Sequence, residues 1–137
     1  MNNNINFKEL RLDNYICINN NLHPCRVKEI TITSVVVESI IENYNEPTIN
    51  SMNPIPLTEE WLLKFGFENS AIGYEYAIEL DKTLQLIDVN NEYYPQLIQA
   101  PEFSSMESQI IGLNLIKYLH QLQNLYFALT NEELTMK

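Results

Sequence analysis

The segment LIKYLHQLQNLYFAL, residues 115 to 129, constrains the fold of this chain more than any other stretch. Leu115, Tyr118, Leu119, Leu122, Leu125, Tyr126 and Leu129 recur at the i, i+3, i+4, i+7 spacing that a helix gathers on one side and a strand scatters over two. The spacing predicts a helix over 115–129 with that stripe against a core. Ile116, His120, Gln123 and Phe127 form a second row beside it, so the helix either packs on two sides or offers the second row to a partner.

The rest of the chain supplies the surface such a helix needs. Tyr15, Ile16, Cys17 and Ile18 suggest a short strand from Asn14 to Ile18, and the Asn19-Asn20-Asn21 run that follows tolerates turn geometry, which predicts a hairpin. Arg26 to Thr33 and Ser34 to Ile41 are rich in Val, Ile and Thr, so the strands between Asn14 and Ile41 are expected to form a small barrel-like cluster or a strongly bent meander, within a barrel-like region up to residue 53 that ends in an Asn-, Glu- and Pro-rich loop over 43–53. In 54–67, PIPLTEEWLLKFGF, Thr58 is a helix N-cap and Glu59 and Glu60 complement the positive helix end. Leu57 can staple to Leu62, and Gly66 supplies a left-handed stop that brings Phe67 back to Leu62.

Beyond it the period becomes two. Tyr74, Tyr76, Ile78 and Leu80 alternate with Glu75, Ala77 and Glu79, a turn follows at 81–83, and Leu84 to Val89 reads as the return strand. Tyr93 to Ile98 is expected as an edge strand because Pro95 interrupts it, and Gln109 to Leu115 as a weaker strand. The expected fold is α+β with mainly antiparallel sheet: the barrel-like strands of 1–53, a short helix in 54–67, then strands and the long C-terminal amphipathic helix in 68–137, all in a single domain.

Composition narrows function by exclusion. The formal charge of −10, from 18 acids against 8 bases, disfavours ordinary binding to a phosphate backbone and favours attraction to basic surfaces. The start MNNNINFKEL has no basic and apolar leader, and no run of eighteen apolar residues follows, so a cytoplasmic protein is expected. Cys17 and Cys25 with His23 fall short of a zinc site and read as structural thiols; no cofactor is expected.

Three segments together, LRLDNYI at 10–16, PIPLTEEWLLKFGF at 54–67 and YLHQLQNLYFALTNEEL at 118–134, resemble a family of small proteins from phages and mobile elements of Bacteroidetes-type bacteria. That family carries no assigned activity, so the resemblance implies provenance and a common fold and transfers no site residue. Asn131 stands where Gly would end the helix, and Asn is the next best residue for that left-handed position.

No side chains stand in the pattern of a catalytic unit. His120 titrates near neutrality, but no Ser, Cys or acid lies at a helical spacing that would complete a nucleophile–base pair. It reads as a structural histidine hydrogen-bonded to its surroundings, and Gln121, Gln123 and Asn124 as amides that satisfy neighbouring loops. Trp61, Tyr74, Tyr76, Tyr93 and Tyr94 supply core or an aromatic contact surface. The candidate partner-binding residues are Ile116, His120, Gln123, Phe127, Tyr93 and Tyr94.

The sequence therefore favours a non-enzymatic acidic interaction protein that inhibits a host or defence protein handling nucleic acid, with self-association to a homodimer open. The alternatives are an accessory structural protein and a small barrel that binds single strands through Lys8, Arg11, Arg26 and Lys28.

Overall fold

The computed structural model describes residues 9–18, 24–31, 35–39, 45–46, 52–70, 75–80, 83–90, 92–99 and 109–136. The chain divides into two compact units: residues 1–56 with 118–133, and residues 57–117 with 134–137. Residues 57–117 of the second unit thus lie in sequence between the two parts of the first. Both are built on antiparallel sheet with one helix each, an α+β fold.

Unit 1 holds β1 (Tyr15–Ile18), β2 (Cys25–Ile30), β3 (Val35–Ser39), β4 (Asn45–Glu46) and β5 (Met52–Asn53) in the order β4-β3-β2-β1-β5. This is an open sheet and not a closed barrel. Two short strands, β4 and β5, fall inside the segment expected as loop, and the turn at Asn19 to Asn21 lies outside the described residues. The core joins Leu10, Ile16, Cys25, Val27, Val35 and Val37, with Ile30 packed against it. Alternation fails in β2 because the register to β3 shifts between Val27 and Glu29. That irregularity sends both Lys28 and Glu29 outward and returns Ile30 towards the core.

The helix of unit 1, α2 (Leu119–Thr130), starts four residues later than its apolar spacing predicts. Residues 115 to 118 are extended because their backbone groups are already taken. The Ile116 N–H donates to the Tyr93 carbonyl at 3.0 Å, and the Lys117 carbonyl accepts from Leu57 N–H at 2.9 Å. Tyr118 then serves as N-cap, its N–H donating to Gln121 Oε1 at 3.1 Å, and Asn131 ends the helix at φ 59° with its N–H on the Phe127 carbonyl at 2.7 Å. The helix belongs to the unit of the N-terminal strands and not to that of the strands preceding it.

Unit 2 holds α1 (Glu59–Lys64) and β6 (Glu68–Asn69), β7 (Glu75–Glu79), β8 (Thr83–Val89), β9 (Glu92–Gln99) and β10 (Gln109–Gly112), in the sheet order β10-β9-β8-β7-β6. The ends of α1 follow the sequence grammar closely. Thr58 Oγ1 accepts from Trp61 N–H at 3.4 Å, Gly66 N–H donates to Leu63 O at 3.1 Å, and Phe67 N–H donates to Leu62 O at 3.0 Å. Leu57, Leu62 and Phe67 are all buried, as staple and Schellman contacts require.

β9 corrects the expectation of an edge, since it lies between β8 and β10. Pro95 is accommodated because the N–H and C=O of one strand residue point the same way. Its carbonyl accepts from Leu113 N–H at 2.9 Å, so its missing donor faces Leu113, just past the last paired residue of β10, Gly112.

Gly66 sits at φ 91°, where a side chain is strained. Replacing Gly66 by Val is expected to cost about 1–3 kcal/mol, read as a lower urea midpoint at constant slope, while Gly66→Asn costs less than half as much.

Candidate functional site

Two polar constellations and one sheet face stand out. The first ties α2 to the start of the N-terminal sheet. Gln123, 1% exposed, accepts from Tyr15 N–H at 2.8 Å and donates to the Asp13 carbonyl at 3.0 Å. Asn124 Oδ1 accepts from Asn14 Nδ2 at 2.9 Å and Arg11 Nη1 at 3.0 Å, and its Nδ2 donates to the Glu9 carbonyl at 2.8 Å. The Arg11 guanidinium lies 3.8 Å from the centre of the Phe127 ring and pairs with Glu133. These amides do for the strand entry what a neighbouring strand would do, and among the described residues the hydrogen bonds of Gln123 and Asn124 go to the segment 9–15.

His120 is the exception. It is 1% exposed and stacks on Tyr118 at 6.1 Å between ring centres, yet neither ring nitrogen has a hydrogen-bond partner among the described residues. The expected hydrogen bonds to its surroundings are absent there, which corrects that part of the sequence reading. Burial pushes its pKa below the ordinary histidine value, opposed only in part by the negative charge of Glu9.

The second constellation lies in unit 2. Tyr76 and Tyr93, each 2% exposed, meet edge to face at 6.2 Å. The Tyr76 hydroxyl hydrogen-bonds with Glu59 and Asn69, and burial followed by the Glu59 bond raises its pKa. Burial and the nearby Asp88 carboxylate push Tyr93 up to about 12. These phenols stay protonated at neutral pH and serve packing.

The sheet face opposite those tyrosines is the candidate site. In β7, β8 and β9 the residues paired across the ladder as Glu75↔Ile87↔Tyr94, Ala77↔Gln85↔Gln96 and Glu79↔Thr83↔Ile98 share one face, with Val89↔Glu92 beyond them and Glu68 joining from β6. All are half-buried or exposed, Val89 reaching 48% and Tyr94 40%. Gln85 Nε2 donates to Glu75 at 3.2 Å, Thr83 Oγ1 to Glu79 at 3.1 Å, and the Tyr94 hydroxyl to Glu92 at 3.4 Å. The five strands of this sheet contain no Lys or Arg. Lys117, 3.7 Å from Glu92, is the base nearest to it among the described residues.

Of the sequence-derived candidates, Ile116 and Tyr93 are joined backbone to backbone in unit 2, whereas His120, Gln123 and Phe127 belong to α2 in unit 1. Ile116, His120, Gln123 and Tyr93 are buried, Phe127 is half-buried under Arg11, and only Tyr94 lies on the open acidic face. Tyr74 lies outside the described residues. Gln85, Ile87 and Gln96 were not among the candidate residues, although the alternation of 83–87 marks Gln85 and Ile87 as the face opposite Leu84 and Leu86, and Val89, grouped in the sequence with those leucines, lies on the open face. Of the basic residues considered for nucleic acid, Arg11 pairs with Glu133, Arg26 with Glu38 at 2.9 Å and Asp13 at 3.7 Å, and Lys28 with Glu38 at 3.6 Å; Lys8 lies outside the described residues. Among the described residues no group of three or more His, Cys, Asp or Glu side chains is placed to hold a metal. Cys17 and Cys25 are not joined in a disulfide, and the register sets Cys25 opposite Ile16 instead of Cys17. No helix is long and apolar enough to cross a membrane among the described residues.

No protein-family model matches the chain, and neither do curated proteins or solved structures.

Truncating Gln123 to Ala leaves the Tyr15 N–H and the Asp13 carbonyl without that partner, and a loss of about 2–4 kcal/mol in unfolding free energy by urea titration is expected. A second outcome concerns pH. Because the folded state holds His120 neutral and the unfolded chain does not, stability present above the unfolded histidine pKa of about 6.5 falls as pH drops below it. His120→Leu flattens that part of the pH–stability curve above about pH 5, where carboxylates are still charged.

Proposed function

We propose that this chain is a non-enzymatic protein-binding module whose acidic sheet face in unit 2 docks on the basic groove of a protein that handles nucleic acid. The observation that supports this reading most directly is the make-up of that face. Half-exposed Ile87 and Ile98 with exposed Val89 and Tyr94 give apolar contact area, and Glu68, Glu75 and Glu79 flank them with no basic side chain in salt-bridge range among the described residues. A groove lined with Lys and Arg to receive phosphates offers the complementary field, and carboxylates held on a hydrogen-bonded sheet lose little freedom on docking. Occupying such a groove excludes the nucleic acid, which is inhibition by mimicry of charge. The resemblance to small phage and mobile-element proteins fits a target belonging to the host or its defences.

The test is capture from lysate of a Bacteroidetes-type bacterium by the wild-type chain and by a Glu75→Lys/Glu79→Lys/Tyr94→Ala variant whose melting curve is unchanged. The wild-type chain is expected to retain a basic nucleic-acid-handling protein that added duplex or single-stranded DNA displaces, that higher salt weakens, and that the variant fails to hold. Equal retention by both chains, or a captured protein indifferent to DNA competitor, would remove the proposal.

A further inference from the structure

Independently of that face, the geometry points to β10 as the seam of a two-fold dimer in which the unit 2 sheets of two copies join edge to edge. Four strands form the outer edges of the two sheets. Three of them, β4, β5 and β6, are only two residues long, which is one of the ways proteins blunt an edge against unwanted pairing. β10 is four residues long, QIIG, with neither a charge nor a proline, and no described strand pairs with its outer side.

Its composition suits a second copy of itself. Ile111 is 48% exposed although its register, Ile111↔Leu97↔Leu84↔Ile78, places it at the end of an apolar row whose next two members are buried. A two-fold axis perpendicular to the sheet, passing between Ile111 and its symmetry mate, keeps inner face with inner face. It continues that row through Ile111 and Leu97 of the second copy and covers the side chain left open in the single chain. Gly112, with nothing within 4 Å of where a Cβ would stand, leaves the approach unobstructed.

Charge selects the same edge. Each copy carries −10, so two copies repel unless they meet at a neutral surface. β10 and the stretch 93–99 of its neighbour β9 contain no charged residue, and Glu68, Glu75 and Glu79 lie on the two strands farthest from the seam. The open acidic face of each copy then remains free on the same side of a ten-stranded sheet, so a dimer would present it twice.

Light scattering and sedimentation over a concentration series test this with the full chain. The wild type is expected to dimerise, and Ile111→Lys, which sets two like charges opposite each other at an already exposed site, to raise the dissociation constant about tenfold or more with an unchanged melting temperature. Ile111→Cys in a Cys17→Ser background should cross-link the dimer on oxidation through its new thiol. A wild-type chain that stays monomeric throughout overturns the inference. So does a dimer that Ile111→Lys leaves intact and the thiol variant fails to cross-link. Because Ile111→Lys leaves Glu75, Glu79 and Tyr94 in place, capture of a basic partner persists in it if that separate reading holds.

Discussion

The side-chain amide of Gln123 is the contact on which the strand entry of unit 1 depends, because it bonds the Tyr15 N–H and the Asp13 carbonyl from the side of α2. Tyr15 N–H and the Asp13 carbonyl flank Asn14, whose own carbonyl is held by Val27 N–H at 2.9 Å. The backbone of 13–15 is therefore fixed from β2 and from α2 at once. A buried backbone donor or acceptor left open costs more than an average hydrogen bond contributes, so the helix position is set by polar satisfaction as much as by its apolar side. This explains why the buried residues of α2 are Leu119, His120, Leu122 and Gln123, while Leu129 is exposed. The helix is turned towards the row that the apolar count placed second.

That arrangement imposes an order on the chain. Unit 1 cannot close until residues 118–133 return to strands formed by the first 56 residues, and residues 57–117 of unit 2 lie between them in sequence. Closing so long a connection costs entropy that grows slowly with length, and a unit that folds between the two ends shortens the effective loop. The entering and leaving segments are held within each unit by Leu119 N–H on the Ile55 carbonyl at 2.8 Å and by Leu57 N–H on the Lys117 carbonyl at 2.9 Å. The same bonds keep 115–118 extended in spite of a helical apolar spacing, a case of non-local backbone pairing overriding local periodicity.

Local grammar was legible wherever it was dense. Thr58, Gly66 and Phe67 defined α1 to the residue, Asn131 took the left-handed stop of α2, and the two-residue period from Glu75 to Glu79 gave β7 with its two faces. What depended on distant partners was not legible. Pro95 read as an edge marker because nothing nearby shows that β10 ends at Gly112, and the irregularity in β2 has no local signature in Val27-Lys28-Glu29. The candidate residues were drawn mostly from one helix row and the paired tyrosines. Ile116, His120, Gln123 and Tyr93 are buried, and a sequence row cannot reveal that a glutamine finds its partners more than a hundred residues away.

In both units the described bases stand against carboxylates, Lys64 with Glu60 and Lys117 with Glu92 in unit 2, and it is the acids outside such pairs, Glu68, Glu75 and Glu79, that support the functional reading. In unit 1 the described bases Arg11, Arg26 and Lys28 each stand against a carboxylate, so their fields cancel locally, although exposed pairs of this kind add little stability. The hydrogen bond from Arg26 holds the Glu38 carboxyl below its ordinary value, the sign of a local pair. In unit 2 the acids of the open face are spaced instead. Glu68 faces Ala77, Glu75 faces Ile87 and Glu79 faces Thr83, so no two of these carboxylates oppose each other across the ladder. The register thus removes the worst repulsion within the sheet without neutralising its field. A surface kept negative at low internal cost gains most when an external cation array meets it, because the partner supplies countercharge to Glu68, Glu75 and Glu79.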